Sequence, residues 1–127
     1  MIVLDTCTLL WLVNGELPPA VAERIANHDD AVLVTAVSAW EIGVKHAKGK
    51  LVLPMPPAEW WARVIDAHGL GEVPIEPAVA LHATQLPPLH ADPADRMIVA
   101  TAMVLRATLL TPDPLIRAYP GLKLAWG

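Results

Sequence analysis

The feature that most limits the fold of this chain is a series of short apolar runs separated by longer helical segments. Strands are predicted at residues 2–4, 31–34, 72–75 and 108–111, and residues 123–126 are a candidate fifth. Helices are predicted at residues 6–14, 18–28, 38–48, 56–69, 77–85 and 93–106. Such alternation indicates βαβ units. We therefore expect an α/β fold, a three-layer α/β/α sandwich around a mostly parallel sheet of four to five strands.

The composition bounds the class of protein. The 127 residues suit a single domain, 1–127, and the 54% hydrophobic content can supply a buried core. No apolar run approaches the ~20 residues that span a bilayer, and the N-terminus lacks the basic segment of a signal peptide. The single cysteine, Cys7, excludes an internal disulfide. We expect a cytoplasmic protein with no membrane partner.

Acidic residues lie where the predicted strands end. Asp5 follows the first strand, and Asp113 follows the fourth. Glu41 lies near the start of the helix after the second strand, and Asp95 lies in the first turn of the helix that leads into the fourth. The carboxyl ends of parallel strands meet at one edge of a sheet. These four carboxylates are therefore predicted to converge on one divalent-metal site.

Each acid also has an ordinary structural interpretation. Asp5 suits a helix N-cap, and Glu41 follows Ser38 with the spacing of a capping box. Asp92 precedes a proline and is assigned mainly to capping, whereas Asp113 suits a turn. No single acid decides between the two interpretations. Their shared position at one sheet edge favours the site.

Four acids in one place would be electrostatically costly without a cation. Like charges about 5 Å apart repel by roughly 3 kcal/mol per pair at an effective dielectric constant of 20. An all-oxygen ligand set favours Mg²⁺ or Mn²⁺ over Zn²⁺, and the five scattered histidines lack ligand spacing, so none is assigned to the metal. The net charge of −4 fits such a cluster and argues against a non-specific nucleic-acid coat, which is normally basic.

Four ordered motifs resemble those of PIN-domain ribonucleases, in particular the VapC-like toxins of type II toxin–antitoxin pairs. The motifs are residues 5–11 (DTCTLLW), 38–42 (SAWEI), 92–102 (DPADRMIVATA) and 111–113 (TPD), the last followed by 119–121 (YPG). The resemblance covers essentially the whole chain, in order and with suitable spacing. It implies a PIN-like fold, Mg²⁺- or Mn²⁺-dependent hydrolysis of RNA to 5′-phosphate and 3′-hydroxyl ends, a homodimer and a cognate antitoxin.

The four acids are assigned distinct roles as a hypothesis. We expect Asp5 and Asp95 to bind the metal directly, and Glu41 and Asp113 to complete its shell or orient water.

Several polar neighbours are secondary candidates, each with an alternative role. Thr6 and Ser38 suit hydrogen bonds to a carboxylate or to the substrate phosphate, and they also suit backbone capping. Thr111 suits orientation of the fourth acid. Arg96 suits either a phosphate contact or a solvent-facing ion pair. Asp92, assigned mainly to capping, also suits a hydrogen bond to a metal ligand or to the substrate.

Basic and aromatic side chains supply candidate contacts with partners. Lys45, Lys48 and Lys50 form the clearest basic cluster, which suits guidance of RNA phosphates or, alternatively, the complement of a helix C-terminus. Trp11 and Trp40 suit core packing or, alternatively, an apolar groove that receives an antitoxin helix.

Two other functions stay open at this point. A non-catalytic metal- or RNA-binding PIN-like module would keep the fold without the reaction. A phosphoacceptor receiver domain would share the size, the parallel sheet and a Mg²⁺-binding acidic pocket. It needs a phosphorylatable Asp after a middle strand and a late Lys near the pocket. Here Glu41 occupies the middle position and Lys123 lies inside the last predicted strand, which makes the receiver the weaker alternative.

Overall fold

A computed structural model describes residues 1–126 of the chain. The strands are β1 (Ile2–Leu4), β2 (Val32–Thr35), β3 (Gly71–Val73), β4 (Thr108–Leu110) and β5 (Lys123–Ala125). The helices are α1 (Thr6–Asn14), α2 (Pro19–Ala26), α3 (Ala36–Ala47), α4 (Pro57–His68), α5 (Pro77–Gln85), α6 (Pro93–Leu105) and α7 (Pro114–Arg117). Among the described residues, no helix is long and apolar enough to cross a membrane.

The five strands form one sheet in the order β3-β2-β1-β4-β5, and every neighbouring pair is parallel. The predicted α/β/α sandwich is therefore confirmed. The chain moves outward from β1 to β3 and then returns to place β4 beside β1. Such a reversal creates a crevice at the carboxyl ends of the two central strands, where α/β proteins bind ligands. The order also differs from the 2-1-3-4-5 order of receiver-type domains, which excludes that alternative.

Alternation along β1 divides the core between the two faces of the sheet. Ile2 and Leu4 face a cluster formed with α1, α2 and α4, whereas Val3 faces a cluster formed with α5, α6 and α7. These strand residues are almost fully buried. A strand that is buried on both faces reads as a continuous apolar run, which is why the sequence marked β1 clearly.

The third strand differs from its prediction, because it begins at Gly71 and ends at Val73 rather than spanning 72–75. A Cβ atom on Gly71 would lie 2.6 Å from Leu33 Cδ2, so the glycine permits close pairing with β2. Pro74 has no N–H to donate, and the ladder stops before it. The strand lies at an edge of the sheet, where a proline at the end of a strand is tolerated.

The start of α3 also corrects the sequence analysis. Thr35 is the N-cap, and its hydroxyl accepts a hydrogen bond from the Ser38 N–H at 3.3 Å. The alternative interpretation of Ser38 and Glu41 as a capping box is therefore wrong. The physical reason is that β2 runs directly into α3, so the last strand residue already supplies the cap and Ser38 lies inside the helix.

The tryptophans divide between the core and the surface. Trp60 is buried, whereas Trp40 is 63% exposed, so core packing is wrong for Trp40. Trp11 is half-buried, and its ring centroid lies 5.9 Å from that of Trp126.

The packing of α6 gives a stability prediction. Ile98 is fully buried, so Ile98→Ala should lower the free energy of unfolding by about 2–5 kcal/mol through lost apolar burial and a residual cavity. Val104 lies on the same helix and is 45% exposed, so Val104→Ala should change the free energy of unfolding by less than about 0.5 kcal/mol. Urea denaturation of both variants checks the prediction, and equal effects would contradict it.

Candidate active site

A pocket of about 410 Å³ opens at the carboxyl ends of the central strands, at the crevice between β1 and β4. Its polar lining includes Asp5, Glu41, Lys45, Asp92, Asp95 and Asp113. Leu10 and Trp11 are among the residues of its apolar wall. The structure thus brings the four acids of the predicted site into one cavity.

Asp5 serves the fold and the pocket at the same time. It is the N-cap of α1, and its Oδ1 accepts the Thr8 N–H at 2.8 Å. Its Oδ2 accepts the Thr111 hydroxyl at 2.5 Å. Thr111 in turn accepts the backbone N–H of Asp113 at 3.1 Å. Thr111 therefore holds Asp5 through its side chain and Asp113 through the main chain, whereas the sequence analysis linked it only to Asp113.

Glu41 is held by a chain of two hydroxyl groups. The Thr6 hydroxyl donates to Glu41 Oε1 at 2.6 Å. Thr6 and Ser38 are 2.8 Å apart, and because Thr6 has already used its single hydrogen, Ser38 donates to it. All three residues are buried. Thr6 and Ser38 therefore orient the Glu41 carboxylate through Oε1, and neither of them occupies Oε2.

Three further acids lie at the N-termini of α6 and α7. Asp92 is the N-cap of α6 and accepts the Ala94 N–H at 2.8 Å, so the predicted capping role is confirmed. Asp95 lies in the first turn of the same helix. Asp113 is the N-cap of α7, a helix that the sequence analysis did not predict. An Asp followed by Pro was the available signal, since the same pair opens α6.

His90 contacts two acids of this pocket, although the sequence analysis gave it no role. Its Nε2 lies 3.1 Å from Asp95 Oδ2 and 3.0 Å from Asp113 Oδ2. These three side chains each place one potential ligand atom within 4.8 Å of the others. No spacing rule identifies a single histidine. Its place two residues before the cap of α6 was the only signal.

The predicted basic contacts lie in different places. Lys45 lines the pocket, whereas Lys48 and Lys50 are exposed beyond the end of α3. Arg96 points away from the pocket, and its guanidinium donates to the carbonyls of Ala83 and Leu86 at 2.9 and 3.0 Å. The guanidinium thus caps carbonyl groups at the C-terminus of α5. This position differs from both the predicted phosphate contact and the solvent-facing ion pair.

Burial makes the carboxylates resist ionisation. It raises the pKa of Asp5 despite the hydrogen bond from Thr111, and it raises the pKa of Glu41. Burial, followed by the nearby charge of Glu41, raises the pKa of Asp95 to about 7. Grouped oxygen donors that are costly to charge on their own suit a hard divalent cation.

A larger surface depression of about 590 Å³ lies between α2 and β2 and is a poorer candidate. Its acids, Glu23, Asp29 and Asp30, are exposed to solvent. Within residues 1–126, the group that could hold a cation with three ligand atoms is His90, Asp95 and Asp113, and its two acids line the other pocket.

Comparison of the sequence with protein-family models gives a match to the PIN domain over residues 2–122. This chain belongs to the PIN domain family. The matched region extends from β1 to the residue before β5 and includes every acid of the pocket. The resemblance to PIN domains is therefore confirmed.

Several known proteins are similar to this chain in sequence or fold. Ribonuclease VapC22 of Mycobacterium tuberculosis is 30% identical over 110 residues, which cover 86% of this chain and 83% of that protein. The DNA-bound VapBC structure from Salmonella typhimurium has a TM-score of 0.71 and 18% identity, and the match covers 98% of this chain and 96% of that one. A toxin–antitoxin complex from Klebsiella pneumoniae has a TM-score of 0.67 and 18% identity over 96% of this PIN domain and 95% of that chain.

The raised pKa of Asp95 predicts how pH changes the stability of the metal-free protein. The folded state binds this proton more tightly than the unfolded chain does, so stability is lost as pH rises from about 4 to about 7. Asp95→Asn removes the ionising group. It should raise the free energy of unfolding by about 1–3 kcal/mol at pH 7.5, after allowance for solvent screening, and should have little effect at pH 4.

Urea denaturation in the presence of a chelator at both pH values measures this difference. Asp66→Asn, on the exposed surface of α4, is the control and should show no such pH dependence. An equal effect of Asp95→Asn at pH 4 and pH 7.5 would contradict the prediction.

Proposed function

We propose that this chain is a single-domain endoribonuclease that hydrolyses RNA phosphodiester bonds and acts as the toxin of a toxin–antitoxin pair. The observation that carries the proposal is the convergence of Asp5, Glu41, Asp95 and Asp113 in one pocket at the crevice between β1 and β4. Membership of the PIN domain family and the 30% identity to Ribonuclease VapC22 support the reaction.

The proposed cofactor is Mg²⁺ or Mn²⁺. Asp5 and Asp95 would bind it directly, and Glu41 and Asp113 would complete the shell or orient water. The four carboxylates fit such a cation because hard divalent ions prefer oxygen ligands and because burial raises the pKa of three of these acids. When bound, the cation supplies charge neutralisation of the phosphodiester and a more acidic water.

The hydroxyl chain at Glu41 has a defined part in this proposal. Thr6 occupies Glu41 Oε1, so Oε2 is the oxygen that can accept a proton from the attacking water. Burial raises the pKa of Glu41, which brings it nearer to neutral pH and makes the carboxylate a better proton acceptor. The products would carry 5′-phosphate and 3′-hydroxyl ends.

The proposed partners are the RNA substrate, a cognate antitoxin and a second copy of the chain. Lys45 would contact a phosphate of the RNA, and its position in the lining of the acidic pocket supports this role. Lys48 and Lys50 would act at longer range. The Klebsiella pneumoniae structure is a toxin–antitoxin complex, which supports an antitoxin partner for this chain. The homodimer and the cytoplasmic location stay predictions.

Removal of single carboxylate charges tests the catalytic assignment. Asp5→Asn and Asp95→Asn should each lower the rate of RNA cleavage by more than about 100-fold. Loss of a group that is hydrogen-bonded to a metal ligand lowers activity by about 10- to 100-fold, and loss of the ligand itself should lower it further. Asn keeps the cap acceptor of α1, so the Asp5→Asn fold should be retained.

Cleavage of labelled RNA with Mg²⁺ or Mn²⁺, and with a chelator, measures the effect. Asp66→Asn is the matched control, because α4 ends at the opposite edge of the sheet. If the Asp5→Asn variant is folded and cleaves RNA at the wild-type rate, the assignment of Asp5 as a catalytic metal ligand is wrong. Metal binding without cleavage by the wild-type protein would favour a non-catalytic PIN-like module.

Charge reversal at Lys45 tests the proposed phosphate contact. Lys45→Glu should weaken RNA binding and lower the salt slope of the binding constant by about 1, as loss of one phosphate contact does. Lys123→Glu, at the start of β5 and at the opposite edge of the sheet, is the control. Binding titrations from low to high salt distinguish the variants. If Lys45→Glu has the same salt slope as the wild type, Lys45 does not contact a phosphate and only complements the C-terminus of α3.

A further inference from the structure

His90 lies beside the acidic pair of Asp95 and Asp113, and the roles proposed above do not include it. Its side chain is only 12% exposed. An imidazole beside two carboxylates can be a third metal ligand, or it can be a hydrogen-bond donor that holds them. The two roles need different forms of Nε2, because a ligand presents a lone pair whereas a donor presents a hydrogen.

The main chain of Asp92 determines which nitrogen carries the hydrogen. The Asp92 N–H donates to His90 Nδ1 at 3.1 Å, and a backbone amide nitrogen can only donate. Nδ1 therefore presents its lone pair, and the neutral ring carries its hydrogen on Nε2. In this tautomer Nε2–H donates to Asp113 Oδ2 at 3.0 Å, with Asp95 Oδ2 at 3.1 Å.

The main chain of His90 is anchored from the other side. Its N–H donates to the hydroxyl of Tyr119 at 3.1 Å, and Tyr119 is buried. Arg96, which also holds the end of α5, donates to the same hydroxyl at 3.4 Å. Nε2 already faces the two acids, so offering it as a ligand would move the ring hydrogen to Nδ1. That hydrogen would then meet the Asp92 N–H and break the hydrogen bond between them. The Asp92 N–H thus fixes the ring as a donor through Nε2, and Tyr119 anchors its main chain.

We propose that His90 is a positioning residue that holds Asp113 beside Asp95 through Nε2–H and does not itself bind the metal. Asp113 Oδ1 accepts the Leu115 N–H at 2.8 Å, so His90 and the start of α7 fix both oxygens of this carboxylate. The cation then meets an oxygen-only set of ligands whose orientation is already established. This inference rests on the proposed function, since it assigns a role within that site.

The tautomer can be tested on the metal-free wild-type protein. Nitrogen-15 NMR of the histidine rings should show a hydrogen on Nε2 of His90 and none on Nδ1. The opposite tautomer would overturn the proposal. The measurement needs neither a substitution nor RNA, so it does not depend on nuclease activity.

Two substitutions separate the donor from the rest of the ring. The amide nitrogen of Gln can reach the place of Nε2, whereas the shorter Asn reaches only the place of Nδ1. His90→Asn should weaken binding of Mg²⁺ and of Ni²⁺ by a similar factor, about 10- to 100-fold, because it loosens oxygen ligands that both ions share. His90→Gln should recover most of that loss.

Calorimetric titration with each metal salt alone measures these affinities. His68→Asn, at the end of α4 and at the opposite sheet edge, is the control and should match the wild type. A much larger loss for Ni²⁺ than for Mg²⁺ would make His90 a ligand, because imidazole suits Ni²⁺ and not Mg²⁺. Unchanged binding of both metals by a folded His90→Asn variant would also overturn the proposal.

The cleavage assay keeps the two proposals apart. If the wild-type protein binds metal in the predicted His90-dependent manner but cleaves no RNA, the nuclease function fails and the positioning role stands. If the wild-type protein cleaves RNA and His90→Asn retains both its metal affinity and its rate, the positioning role alone fails.

Discussion

The parallel pairing of β1 with β4 is the constraint on which the whole pocket depends. Val3 lies opposite Leu109 in this register, and both are fully buried. The next residues beyond the two strands are Asp5 and Thr111, which the pairing brings within hydrogen-bond distance. A shift of one residue would exchange the two faces of the strand and separate this pair. The apolar packing of the sheet therefore sets the position of a charged group.

The pocket contains hydrogen bonds that stabilise the fold and buried carboxylates that destabilise it. The oxygens of Asp5 are satisfied by the Thr8 N–H and the Thr111 hydroxyl, and one oxygen of Glu41 is satisfied by Thr6. These bonds offset part of the cost of burial, yet the pKa of each acid is still raised. Real proteins accept such local conflicts at functional sites and compensate for them elsewhere. Here the compensation is the apolar core on both faces of the sheet.

Most of the fold was predictable because apolar runs and prolines mark its elements directly. The misplaced strand shows the limit of this reasoning, since the close approach of Gly71 to Leu33 depends on a partner strand distant in sequence. The four acids were predictable because sheet topology alone brings strand ends together. His90 was not, because its position depends on Tyr119, which is 29 residues away along the chain and which no local pattern connects to it.

Three of the pocket acids are helix caps, which has a consequence for the electric field in the cavity. Asp5, Asp92 and Asp113 begin α1, α6 and α7, so the N-termini of these helices meet at the pocket. Each helix N-terminus carries a partial positive charge, and nearby anions gain about 0.3–1 kcal/mol from it. The backbone thus supplies positive potential that the side-chain charges alone do not reveal. The pocket would therefore repel an approaching anionic RNA strand less strongly than the number of its carboxylates suggests.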